Sequence, residues 1–195
     1  MKFIWNLIGL FGLLVLALIV AAVIQLGPSI NNLAGFDEKA LSTYAEIGKI
    51  LLETGSGPEA TVWKIPVAEG LTPQEVEETM RFVANEHNIK NVGELLLYKE
   101  VEAMSGTPFR FMTVYMFCNA MTAARMLEIN DAFSAYLPCR ITLIEDTSGK
   151  LWLYTLNMDI MIYGGKTLPD AIKEEAIQVK EIMLDIMNRG ASGDF

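Results

Sequence analysis

Hydrophobic positions along this chain fall into three regimes: one unbroken apolar run, then helical spacing, then alternations and short runs suited to strands. Residues 3–26, FIWNLIGLFGLLVLALIVAAVIQL, carry no charge, and only Asn6 and Gln25 are strongly polar. At about 1.5 Å per helical residue the run reaches across a hydrocarbon core of roughly 30 Å. It exceeds the apolar core of a secretory signal, about 7–15 residues, and its small-residue pattern Val20-Ala21-Ala22 lies inside the run, not after it. The pattern predicts one retained transmembrane helix within residues 1–27. Lys2 and the α-amine favour a cytoplasmic N-terminus, although Lys39 follows the span and weakens that bias. The expectation is a single-pass inner-membrane protein with residues 28–195 on the periplasmic side.

GPSINNLAG is a turn-rich linker, and Phe36–Thr54 sets Leu41, Tyr44, Ile47 and Leu51 near helical spacing before Gly55 stops the pattern. This is a stalk helix, either standing off the domain or packed on it. Residues 28–58 thus form linker and stalk, and residues 59–195 the domain. ATVWKIPV reads as a short strand whose Pro66 suits an edge or an end. In LTPQEVEETMRFVANEHNI, Thr72 caps a helix, Pro73 takes its first turn and Glu75 completes a capping box. Val76, Met80, Val83 and His87 share one face of it. ELLLYKEVEAM reads as a strand turning into a short helix near Glu100, and FRFMTVYMF as a strand buried on both sides. AMTAARMLEI and DAFSAYL read as helices separated at Asn130. RITLIED and KLWLYTL form a hairpin turning at Thr147-Ser148-Gly149. NMDIMIYGGKTLP is irregular. DAIKEEAIQVKEIMLDIMNRG closes the chain as an amphipathic helix with Ile172, Ala176, Val179, Met183 and Ile186 inward. This order predicts an α+β domain, an antiparallel sheet with helices packed on it.

Charge changes the choice of partners. Residues 28–195 hold 14 basic and 24 acidic residues, a formal charge of −10. Such a domain repels nucleic acid and anionic lipid, and suits a protein partner with basic surface.

Catalytic apparatus is sparse. His87 is the single histidine, so every Ser-His-Asp or Cys-His arrangement depends on it, and a helix-end position where a ring cation suits the dipole accounts for it. Zinc sites lack ligands, CxxCH is absent, and neither GxGxxG nor GxxxxGK[ST] occurs, so no cofactor is expected. The Glu145-Asp146 pair entering the hairpin reads as turn chemistry. Met112, Met116, Met121 and Met126 bracket Cys118, and with Cys139 and His87 they would suit Cu(I), against the plainer reading of thioethers filling a core.

Cys118 and Cys139 are the two cysteines of the chain. In an exported domain they read as one disulfide, closing a loop of about 22 residues for roughly 3 kcal/mol. The bridge requires the flanking strands to run antiparallel; parallel strands would part the thiols beyond the ~7 Å Cα limit. A reactive thiolate at a helix N-terminus, or two buried inert thiols, are the alternatives.

The segment VYMFCNAMTAARMLEINDAFSAYLPCRITLIEDTSGKLWLYTLNMDIM runs strand, Cys-Asn turn and helix, then Leu-Pro before a hairpin holding Glu-Asp and Gly. It resembles the domain-of-unknown-function 302 (DUF302) family. The resemblance implies a compact α+β fold and association into dimers. Cys118-Asn119-Ala120 stands where many members have Gly-Asn-Pro, and Cys139 where they have an aliphatic residue, which implies a membrane-anchored branch. Candidate binding or redox residues are therefore Cys118, Asn119, Cys139 and Arg140, with Asn157 and Asp159 as neighbours. A helix cap and a strand-end ion pair explain the same polar residues. Weak metal candidates are Cys118, Cys139, Met116 and His87. The expected function is a non-catalytic accessory or binding subunit of a membrane or periplasmic complex, with a homo-oligomer as one form of assembly. The alternative is a thiol-redox or soft-metal (copper) protein using Cys118 and Cys139.

Overall fold

The structure is a computed structural model that describes the backbone of residues 2–195 and the side chains of residues 9, 11–25 and 32–195. Helix α1 (Lys2–Leu33) is followed by α2 (Ala40–Thr54) and a single turn, α3 (Gly57–Ala60). The domain continues as β1 (Val62–Pro66), α4 (Pro73–Glu86), β2 (Lys90–Leu95), α5 (Leu97–Ser105) and β3 (Met112–Cys118). It is completed by α6 (Ala120–Ile129), a 3₁₀ segment (Asp131–Tyr136), β4 (Cys139–Glu145), β5 (Leu151–Leu156), α7 (Asp159–Tyr163) and α8 (Asp170–Ser192).

The strands form one sheet in the order β1-β5-β4-β3-β2, with every neighbouring pair antiparallel. The α+β architecture expected from the order of elements is the one observed. Its core lies on one face of the sheet. Tyr115, Phe117, Ile141, Leu143 and Leu153 point there, against Val76, Met80 and Val83 of α4 and Met183, Ile186 and Met187 of α8. Each of these buried side chains is worth about 1.5–3 kcal/mol relative to exposure. The α4 start is built as its sequence suggests: Thr72 Oγ1 accepts from the Glu75 N–H, and Glu75 Oε2 accepts from the Thr72 N–H at 2.7 Å.

Several local expectations are corrected. β2 is Lys90–Leu95, so it begins before ELLLY and keeps only Glu94 and Leu95 of it, and α5 starts at Leu97, ahead of the turn expected near Glu100. A bulge between Asn91 and Gly93 breaks the alternation that would have announced it. β3 is buried on alternate residues, not on both sides, because the helices cover only one face. DAFSAY is a 3₁₀ turn, GPEA forms a helical turn capped by Ser56, and the segment read as irregular contains α7.

The stalk helix packs on the domain. Its entry is fastened by the Asp37 N–H to the Gly165 carbonyl (2.9 Å) and the Thr167 N–H to the Gly35 carbonyl (3.1 Å). The Tyr44 hydroxyl donates to the Gly164 carbonyl at 2.6 Å. The expected membrane span falls within α1, but the side chains of residues 3–8, 10 and 26 lie outside the described residues. Among the described residues, no helix is long and apolar enough to cross a membrane.

Candidate functional site

β3 hands the chain directly to α6 at Asn119, and β4 returns beside it, so Cys118 and Cys139 arrive at the same end of the sheet. Antiparallel direction satisfies the first condition for a disulfide, yet both thiols are free. Register is the reason. Phe117, not Cys118, lies opposite Cys139, and side chains alternate faces along a strand, so Cys118 is one step out of phase. The expected bridge is therefore corrected to two separate thiols. Burial pushes the Cys118 thiol above its usual value. Burial, with Cys118 nearby, pushes Cys139 up to about 11.

The two cysteines border one small pocket between the end of the sheet, α6, the 3₁₀ segment, α7 and α8. Its volume is about 30 Å³. Phe117, Ala123, Phe133, Leu137, Ala176 and Val179 supply hydrocarbon wall, and Met126, Met158 and Met161 supply thioethers. A second recess of about 20 Å³ shares Cys139, Met158 and Met161 and adds Tyr136, Arg140 and Asn157.

The polar candidates have structural partners. Asn119 caps α6, its Oδ1 accepting from the N–H groups of Met121 (3.1 Å) and Thr122 (3.2 Å). Asn157 Oδ1 accepts from the Asp159 N–H at 2.9 Å and so begins α7. The Lys180 ammonium donates to Asp159 Oδ1 at 2.9 Å. Arg140 is exposed, and its carbonyl accepts from the Thr155 hydroxyl at 2.7 Å. Cys118, Asn119 and Cys139 are thus brought together at the first pocket, and Cys139, Arg140 and Asn157 at the second.

The remaining candidates lie elsewhere. His87 terminates α4, where its Nε2 meets Asp185 Oδ2 at 2.7 Å. Met116 faces the opposite side of the sheet, against Gly93. Among the described residues, no three His, Cys, Asp or Glu side chains gather as a metal site. Met158 and Met161 were not singled out by the sequence reading. Their three-residue spacing at the start of a short helix was the available signal, obscured by an otherwise patternless segment.

None of the curated proteins matches the chain. A crystal structure of an uncharacterised conserved DUF302 protein from Bacillus stearothermophilus is similar at 18% identity, with a TM-score of 0.53. The similarity covers 66% of this chain and 97% of that one, and it speaks for the fold. The family model described as domain of unknown function DUF302 matches residues 63–190. That segment spans β1 to the last turns of α8 and is well over half of the chain, and the chain belongs to the DUF302 family.

Proposed function

We propose that the chain is a single-span protein of the inner membrane whose acidic α+β domain lies in the periplasm as a non-catalytic accessory or binding subunit of a membrane complex. The observation that carries this reading is the second face of the sheet. Val62, Val114, Thr142, Tyr154 and Leu156, with Arg140, line a shallow recess there on the side away from α4 and α8. A half-exposed apolar sheet surface of this kind suits a protein partner. The anchor is supported by the uncharged run 3–26 and by the exposure of residues 11–25 along α1. The pairing of Asn119, Asn157, Asp159 and His87 with structural partners favours binding over catalysis.

Co-purification from mildly solubilised membranes tests the reading. Thr142→Glu, in the middle of the open face, is expected to release a stoichiometric partner while the unfolding temperature stays close to wild type. Retention of the partner in Thr142→Glu, with loss on reversing the exposed α4 charge Glu78, would move the interface to the helices and overturn the proposal. Extraction of the whole chain by alkaline carbonate would remove the anchor.

A thiol-redox role is the second reading, and burial works against it, since both thiols are held above their usual range.

A further inference from the structure

Three separate segments bring sulfur-bearing side chains to one pocket on the helix side of the sheet. Cys139 begins β4, Met126 comes from α6, and Met158 and Met161 flank the start of α7, while Cys118 at the end of β3 borders the pocket with its side chain one step out of phase. The chain has thirteen sulfur-bearing residues, two Cys and eleven Met, and four of them, one Cys and three Met, line this pocket from the helix side. At about 30 Å³ the space admits a desolvated ion and has no room for a hydration shell.

The remaining wall offers no competing ligand. No carboxylate or imidazole borders the pocket. Its two polar side chains are already engaged: Asn119 caps α6, and the Thr122 hydroxyl donates to Glu175 at 3.1 Å. Oxygen-seeking cations find nothing to bind, and the four-coordinate thiolate and imidazole sets of zinc are not available. Thiol and thioether ligands in dry surroundings select a soft ion of low coordination number. Thioethers on unbranched Met side chains can also swing toward an ion without backbone movement. A monovalent ion held by one thiolate and neutral thioethers forms a neutral unit, which an apolar pocket tolerates.

We propose that Cys139, Met126, Met158 and Met161 form a binding site for one soft monovalent metal ion, Cu(I). The site lies on the helix side of the sheet and stands apart from the partner-binding face. On binding, the S–H bond of a thiol breaks, its proton passes to solvent, and a Cu–S bond forms. The ion enters and remains as Cu(I), so nothing is oxidised or reduced.

The test is an anaerobic competition titration of the full reduced chain in detergent, with bicinchoninate-buffered Cu(I), and with Ag(I) as a redox-inert probe. One ion per chain is expected, with Zn(II) failing to displace it. Cys139→Ser and the pair Met158→Leu/Met161→Leu are each expected to weaken binding by at least about tenfold. Met104→Leu, on α5 and 88% exposed, is expected to leave it unchanged. X-ray absorption of the wild-type complex should show sulfur neighbours alone, a readout that needs no variant to fold. Failure to compete with bicinchoninate, a nitrogen or oxygen shell, or equal weakening by Met104→Leu and Met158→Leu/Met161→Leu would each overturn the site.

Discussion

The Lys173 ammonium of α8 donates to Asp37 Oδ2 at 2.5 Å, tying the final helix to the segment that joins α1 and α2. The Asp37 side chain is 0% exposed and its Oδ1 also accepts from the Lys39 N–H at 3.0 Å. Burial opposes ionisation of Asp37, but these hydrogen bonds outweigh it and hold the carboxyl below its ordinary value. Asp37→Asn keeps the shape and removes the charge partner of Lys173. The expected loss is about 1–3 kcal/mol, read as a lower unfolding temperature of the full chain. Because the folded value lies below the unfolded one, the carboxylate contributes stability above its ordinary range and loses it as pH falls through the lowered value. Asp37→Asn should therefore flatten the acid limb of the stability profile. An unchanged midpoint at pH 7 together with an unchanged acid limb would refute the tie.

Thiol reactivity follows from the burial of Cys118 and Cys139. At pH 8, iodoacetamide should modify Cys118 more slowly than a free thiol, and Cys139 more slowly still, since Cys139 is raised to about 11. Unfolding should expose two titratable thiols per chain without reductant. Rapid labelling of both in the native chain, or thiols seen only after reduction, would contradict the geometry at the β3–α6 junction.

What the sequence made legible depended on local chemistry. Thr72, Pro73 and Glu75 announced the start of α4, and the β4–β5 hairpin was plain from two apolar runs flanking Ser148-Gly149. β2 was not legible, because KNVGEL is polar and its bulge destroys the period of two. At the candidate site, strand direction was the condition sequence reasoning identified, while register decided the outcome. A single-residue offset between Cys118 and Cys139 carries no signature in composition or spacing. Met158 and Met161 were equally hidden, since the helix that Met158 precedes and Met161 belongs to is five residues long.

The β4–β5 turn is organised by Asp146. Its Oδ1 accepts from the Ser148 N–H and hydroxyl and from the Lys150 N–H, and its Oδ2 accepts from the Trp152 indole at 2.9 Å. The Ser148 hydroxyl first, then the Trp152 indole, hold this carboxyl well below the usual range. Asp146→Ala should lower the unfolding temperature, and millimolar Ca²⁺ should leave the wild-type temperature unchanged. A calcium-dependent rise would instead identify the Glu145-Asp146 pair as an ion site.

Two glycines distinguish rigid from yielding neighbours. A Cβ at Gly190 of α8 would stand 2.6 Å from Met80 Cγ and 3.5 Å from Leu153 Cδ1. Met80 is fully buried and its Cγ lies mid-chain, so relief requires the α4 and α8 backbones to part. Overpacking at about 1–3 kcal/mol outweighs the gain of roughly 1 kcal/mol from replacing a helical glycine. Gly190→Ala is expected to lower the unfolding free energy by a net of about 1 kcal/mol, read as a lower urea midpoint. A Cβ at Gly93 of β2 would stand 2.9 Å from Met116 Cε, the free end of a half-buried side chain on the open face of the sheet. That methyl can rotate away, so Gly93→Ala should change stability by no more than about 0.5 kcal/mol. The reverse ranking in denaturant would mean that α4 and α8 are not held at the close approach through which the core is sealed.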